Sequence, residues 1–109
     1  MKIGITVLGI AAIPMLLATV ADAALDDAKA LELLKKGGCA ACHSVEKKGI
    51  GPSFKDVAQK RKGEAITLLT KAVRSGGKGA YGSMPMPPTA PDKISDTDLQ
   101  ELIGWILKQ

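Results

Sequence analysis

Cys39-Ala40-Ala41-Cys42-His43 constrains the rest of the chain more than any other segment. Two cysteines separated by two residues and followed at once by histidine form the attachment signature of c-type haem. Two thiols that add across the two vinyl groups of one macrocycle must sit about one helical turn apart on the same edge. The residue after the second thiol is then held over the iron, where an imidazole coordinates it. His43 is the one histidine of the chain, and Cys39 and Cys42 are its two cysteines. A thioredoxin-like redox pair expects a βαβ context, which the sequence lacks. A structural zinc site needs four ligands, and only three are offered here. A simple disulfide gives no reason for His43 to follow.

Outward from this segment, residues 1–23 read as a cleaved secretory signal. Lys2 is a minimal basic start, Ile3 to Val20 is an apolar run broken by Pro14, and Ala21-Asp22-Ala23 matches an A-x-A cleavage site. Neither flank carries the basic cluster of a stop-transfer segment, so no stable membrane insertion is expected after cleavage. Residues 24–109 then form a single domain. Loss of Lys2 and Asp22 leaves the formal charge at +4. With only Phe54, Tyr81 and Trp105 as aromatics, so short a domain buries little surface unaided. A covalent macrocycle would be its largest apolar component.

The class expected is all-α. A first helix starts at the cap Asp26 and ends at Lys36, with Gly37 closing it and Ala28, Leu31 and Leu34 as its apolar stripe. Gly49-Ile50-Gly51-Pro52 is a turn, and Ser53 caps a short helix through Lys60. Glu64 to Arg74 reads as a third helix with Ile66, Leu69 and Val73 on one face and Gly76 at its end. Residues 77–94 carry three glycines and four prolines and read as a long functional loop. The last helix is capped by Ser95, with Asp98 completing a capping-box pattern and Leu99, Leu102, Ile103 and Ile106 as its stripe.

His43 is the only imidazole, so a second axial ligand must come from elsewhere. Met84 and Met86 are the methionines of residues 24–109, and both lie in the long loop. A thioether is a soft donor that favours the ferrous state, and Pro85, Pro87 and Pro88 lower the entropy cost of holding it. Spacing alone leaves Met84 and Met86 both open.

Along nearly its whole length the domain resembles the small bacterial class I cytochromes c of the c-551/c-552 type. The matching pieces are Gly38-Cys39-Ala40-Ala41-Cys42-His43, Gly51-Pro52-Ser53-Phe54-Lys55-Asp56-Val57-Ala58, Tyr81-Gly82-Ser83-Met84-Pro85-Met86-Pro87-Pro88 and Trp105-Ile106-Leu107. The resemblance implies about four short helices wrapped around one covalent haem c, with Cys39 and Cys42 as thioether anchors. It implies His43 and Met86 as the iron's axial ligands, Met84 being the alternative, because the family's methionine directly precedes a Pro-Pro pair. Pro52 matches the proline whose carbonyl accepts from the ligating histidine. Tyr81 stands where the family usually has a tryptophan bonding a haem propionate, and Trp105 matches a residue packed on the haem edge. Between Thr89 and Ser95 the chain is about three residues longer than the shorter family members, around Pro91-Asp92-Lys93.

The function implied is one-electron carriage in the periplasm by a monomer. The expected partners are an upstream cytochrome donor and an acceptor such as a terminal oxidase, a nitrite reductase or a peroxidase. Lys35, Lys36, Lys47 and Lys48 bracket the haem motif and suggest a basic docking rim. Two rivals remain open: a haem protein whose labile methionine admits peroxidase or gas-ligand chemistry, and a haem-free thiol–disulfide exchanger. Gly76-Gly77-Lys78-Gly79 lacks the Ser/Thr and the preceding strand of a phosphate loop. Scarce aromatics and the lack of a sustained basic stripe exclude nucleic-acid binding.

Overall fold

A computed structural model describes residue 4, residues 9–14 and residues 25–109. The cleavage point expected after Ala23, and most of the signal segment, lie outside the described residues. The described chain forms four helices: α1 (Asp27–Lys36), α2 (Phe54–Lys60), α3 (Ile66–Ser75) and α4 (Asp96–Ile106). One 3₁₀ turn, Cys39–Ala41, follows α1. The fold is all-α, and no helix among the described residues is long and apolar enough to cross a membrane.

Three helices begin where a short polar side chain can take up an orphan backbone N–H. Asp26 accepts from Lys29 N at 2.7 Å, Ser53 from Asp56 N at 3.1 Å and Ser95 from Asp98 N at 3.2 Å. Helix α3 differs: Ala65 precedes it and offers no side-chain cap. It starts two residues later than the periodicity predicts. Glu64 is drawn into the preceding turn instead, its N–H bonded to the Arg61 carbonyl and its carboxylate to the Arg61 guanidinium at 3.3 Å.

Helix α4 is the hub, packing against α1, α2 and α3. Leu99, Leu102, Ile103 and Trp105 are its buried residues, while Ile106 is only partly covered. They meet Ala30, Leu33 and Leu34 of α1, together with Phe54 and Ile94. The buried face of α1 is therefore Ala30-Leu33-Leu34. Ala28 and Leu31 of the expected stripe face outward, Leu31 being 49% exposed. The Trp105 indole N–H donates to Asp27 Oδ1 at 2.9 Å and locks α1 to α4 across 78 residues of sequence. The left-handed residue after α1 is Gly38 (φ 75°), whereas Gly37 keeps right-handed geometry (φ −79°).

No side chain of α3 is fully buried. Leu69 and Val73 are half-covered by the core. The loop from 77 to 94 is tied back to this helix, with Gly77 and Met86 exchanging two backbone hydrogen bonds at 3.0 and 2.7 Å.

Candidate functional site

A cleft of about 400 Å³ opens beside the end of α1. That is within the usual range for a small-molecule or cofactor site. Two stretches of chain line it: Lys35 to Cys39 with Cys42 and His43, and Met86 to Thr89 with Lys93. A second hollow of about 470 Å³ lies among Lys55, Ala58, Gln59, Lys62 and the C-terminal residues. It has no thiol, imidazole or thioether, so the chemistry belongs to the first.

The thiol side of the cleft follows from the end of α1. Gly38 turns the chain, and the 3₁₀ turn bonds Cys42 N and His43 N to the Cys39 carbonyl at 3.2 and 3.0 Å. Both cysteines are thereby half-buried at the cleft, with no disulfide between them. Burial pushes the Cys39 thiol above its ordinary value; a backbone hydrogen bond opposes this and the neighbouring Cys42 adds to it. A thiol-exchange cysteine needs the opposite, a lowered value that exposes thiolate near neutral pH.

His43 is held on three sides. Its Nδ1–H donates to the Pro52 carbonyl at 2.7 Å. A carbonyl can only accept, so Nδ1 carries a proton and Nε2 is the ring nitrogen left to face a metal. The ring stacks on Phe54 with centroids 5.1 Å apart and planes 20° from parallel. Gly51 closes the third side: a Cβ there would lie 2.7 Å from His43 Cε1. Backbone bonds from Gly51 N to Cys42 O (2.8 Å) and from Phe54 N to Ser44 O (2.9 Å) hold the two strands of chain together.

Met86 lines the cleft and is half-buried. Met84 is 65% exposed and is not among the lining residues. The approach of the Met86 segment to α3 demands glycine at 76, where φ is 66° and a Cβ would come within 2.5 Å of the Met86 carbonyl oxygen. Tyr81 stands outside the cleft lining, 4.3 Å under the Lys60 ammonium and 3.4 Å from Arg61 Nε. It fastens the loop tip to the end of α2, helped by a hydrogen bond from Lys60 to the Ala80 carbonyl. Trp105 lies in the α1–α4 core and is likewise outside the lining.

Of the four lysines in the expected rim, Lys35 and Lys36 line the cleft, and Lys47 and Lys48 do not. Lys93 does, from a segment that sequence spacing did not connect to the motif. Sequence reasoning gives Gly51 a turn and Gly76 the end of a helix, and assigns neither of them, nor Phe54, a role at the site. Phe54 and Gly51 sit in a matched stretch, but ring stacking and a forbidden Cβ become visible only once the chain folds back on His43.

The residues present suit a covalently held haem: two thiols, an imidazole with Nδ1 engaged and Nε2 left over, and a thioether line one cleft with two prolines and three lysines. Known proteins point the same way. A family model described as cytochrome c matches residues 28–109. Cytochrome c2 of Rubrivivax gelatinosus is 49% identical over 79 residues, covering 71% of this chain and 93% of the relative. Cytochrome c-551 of Allochromatium vinosum is 45% identical over 91 residues, covering 82% and 92%. Among solved structures, Nitrosomonas europaea cytochrome c552 superposes with a TM-score of 0.63 at 43% identity, covering 71% of this chain and 95% of that one.

Proposed function

The chain belongs to the cytochrome c family, as a monohaem electron-transfer protein rather than an enzyme, and we propose that Cys39 and Cys42 anchor its haem c while His43 and Met86 ligate the iron. The observation that carries this reading is the shared cleft. It draws both thiols and the imidazole from one segment and the thioether from another, 43 residues beyond His43.

When bound, the haem supplies a one-electron ferric/ferrous couple. The chain's own residues hold its surroundings constant while the charge changes. Pro52 fixes the orientation of His43, Phe54 stacks on its ring, and the missing side chain at Gly51 leaves the ring its room. Gly77 pairs with Met86, and the flanking prolines stiffen the thioether's backbone. Small rearrangement between oxidation states is what a carrier needs.

We further propose export to the periplasm, with cleavage after Ala23 giving a single domain from residue 24 to residue 109. There it accepts electrons from an upstream cytochrome and passes them to a terminal oxidase, nitrite reductase or peroxidase. Lys35, Lys36 and Lys93 at the cleft support docking on acidic partners. Mass spectrometry of protein purified from its native compartment tests the reading in one spectrum. The expected mass is that of residues 24–109 plus one haem, with the adduct on the peptide containing Cys39 and Cys42. A haem-free mass with a Cys39–Cys42 disulfide would overturn it.

A further inference from the structure

We propose that Arg74 is a positioning residue for Met86: it clamps the segment after Met86 to the end of α3, keeping the thioether in the cleft and outside ligands off the iron. The inference rests on the reading of Met86 as an axial ligand.

Arg74 stands in the last turn of α3, and all three guanidinium nitrogens donate. Nη1 reaches the Thr89 carbonyl at 3.2 Å, and Nη2 reaches the Ile94 carbonyl at 2.8 Å and Asp96 Oδ1 at 2.6 Å. Nε adds a second bond to Asp96 Oδ1 at 3.2 Å. These acceptors belong to the third residue after Met86, to a fully buried residue ahead of α4 and to the first residue of α4. One planar cation therefore joins α3, both ends of the 89–94 segment and α4. A lysine ammonium lacks the fork needed to reach all of them.

The remaining ties of this segment leave from the same short stretch. Thr89 N donates to the Val73 carbonyl at 3.1 Å, and Gly77 pairs with Met86. Helix α3 buries no side chain fully, and apolar packing anchors the loop chiefly at its far end, through Ile94. Polar ties add to this hold: Lys60 and Arg61 fasten the loop tip, and Arg74 supplies the side-chain bonds to the stretch after Met86. Its own side chain is 18% exposed, which shelters the bonds to the Thr89 and Ile94 carbonyls, whereas Asp96 is 72% exposed and its bonds to Arg74 are open to water and salt.

An outside ligand can reach the iron only when Met86 has moved away, so its apparent affinity scales with the open fraction of the loop. Added imidazole is a suitable probe, followed by spectral titration of the oxidised holoprotein at one pH. Arg74→Gln is expected to raise the imidazole affinity about tenfold, the size expected when charge-assisted bonds closing a loop are lost. Arg74→Lys, keeping charge without the fork, should fall between the two. Asp27→Ala serves as a control, because it removes the partner of Trp105 away from the loop. It should lower the thermal midpoint while leaving imidazole affinity within about twofold.

An Arg74→Gln affinity within about twofold of the unsubstituted protein would overturn the proposal, as would an equal rise in Asp27→Ala. Should Arg74→Gln not fold, Arg74→Lys and Asp96→Asn decide it: a rise in both supports the clamp, and no rise in either overturns it. If the unsubstituted oxidised protein lacks the methionine–iron charge-transfer band, the ligation reading fails and this inference fails with it. An intact band with unchanged Arg74→Gln affinity removes only the role of Arg74.

Discussion

At the scale of single residues, the site depends on what surrounds His43. A two-residue spacing between cysteines and a following histidine is legible in sequence because the chemistry is local. The ring's environment is legible only in part: the resemblance implies the Pro52 carbonyl, whereas Gly51 and Phe54 act only after the chain reverses. Gly51→Ala would place a methyl 2.7 Å from His43 Cε1, so the ring or the turn must shift. Overpacking of this kind costs about 1–3 kcal/mol. We expect a lower thermal midpoint in the Gly51→Ala holoprotein and a weakened His43 Nδ1–H to Pro52 bond, read from that proton's chemical shift. An unchanged midpoint and proton resonance would show that the Gly51 turn relaxes freely.

At the scale of elements, the helices differ in how far they stand without the cofactor. Helices α1 and α4 share a buried face and the Trp105–Asp27 bond, while α3 buries no side chain. Protein carrying Cys39→Ala and Cys42→Ala, made free of haem, should therefore unfold with little cooperativity. A sharp thermal transition in that protein would show that the helices pack adequately alone. The same contrast explains which elements could be read from sequence. Caps at Asp26, Ser53 and Ser95 are local hydrogen bonds, and three helix starts follow from them. The face of α1 is ambiguous in sequence because Ala28, Ala30, Leu31, Leu33 and Leu34 admit two stripes that share Leu34. Only the docking of α4 selects Ala30-Leu33-Leu34. Helix α3 starts later than periodicity alone predicts because Glu64 pairs with Arg61 in the preceding turn, which periodicity does not register.

At the scale of the whole molecule, charge placement governs encounter. Lys35, Lys36 and Lys93 line the cleft, whereas Lys47 and Lys48 lie outside its lining. Exposed charges are screened over about 8–10 Å at moderate ionic strength. Electron-transfer rates with an acidic partner should therefore fall as salt rises. Charge reversal at Lys36 and Lys93 should slow association more than reversal at Lys47 and Lys48, with the visible spectrum unchanged. A bimolecular rate that stays flat with salt would mean an apolar contact. The account as a whole turns on the pairing of His43 with Met86, two residues from opposite halves of the domain. The most direct test is the methionine–iron charge-transfer band at the red edge of the oxidised spectrum, compared between Met86→Ala and Met84→Ala. With Met86 on the iron, Met86→Ala abolishes the band and lowers the reduction potential, while Met84→Ala retains both. Loss of the band in Met84→Ala alone, or its survival in both, would contradict that pairing.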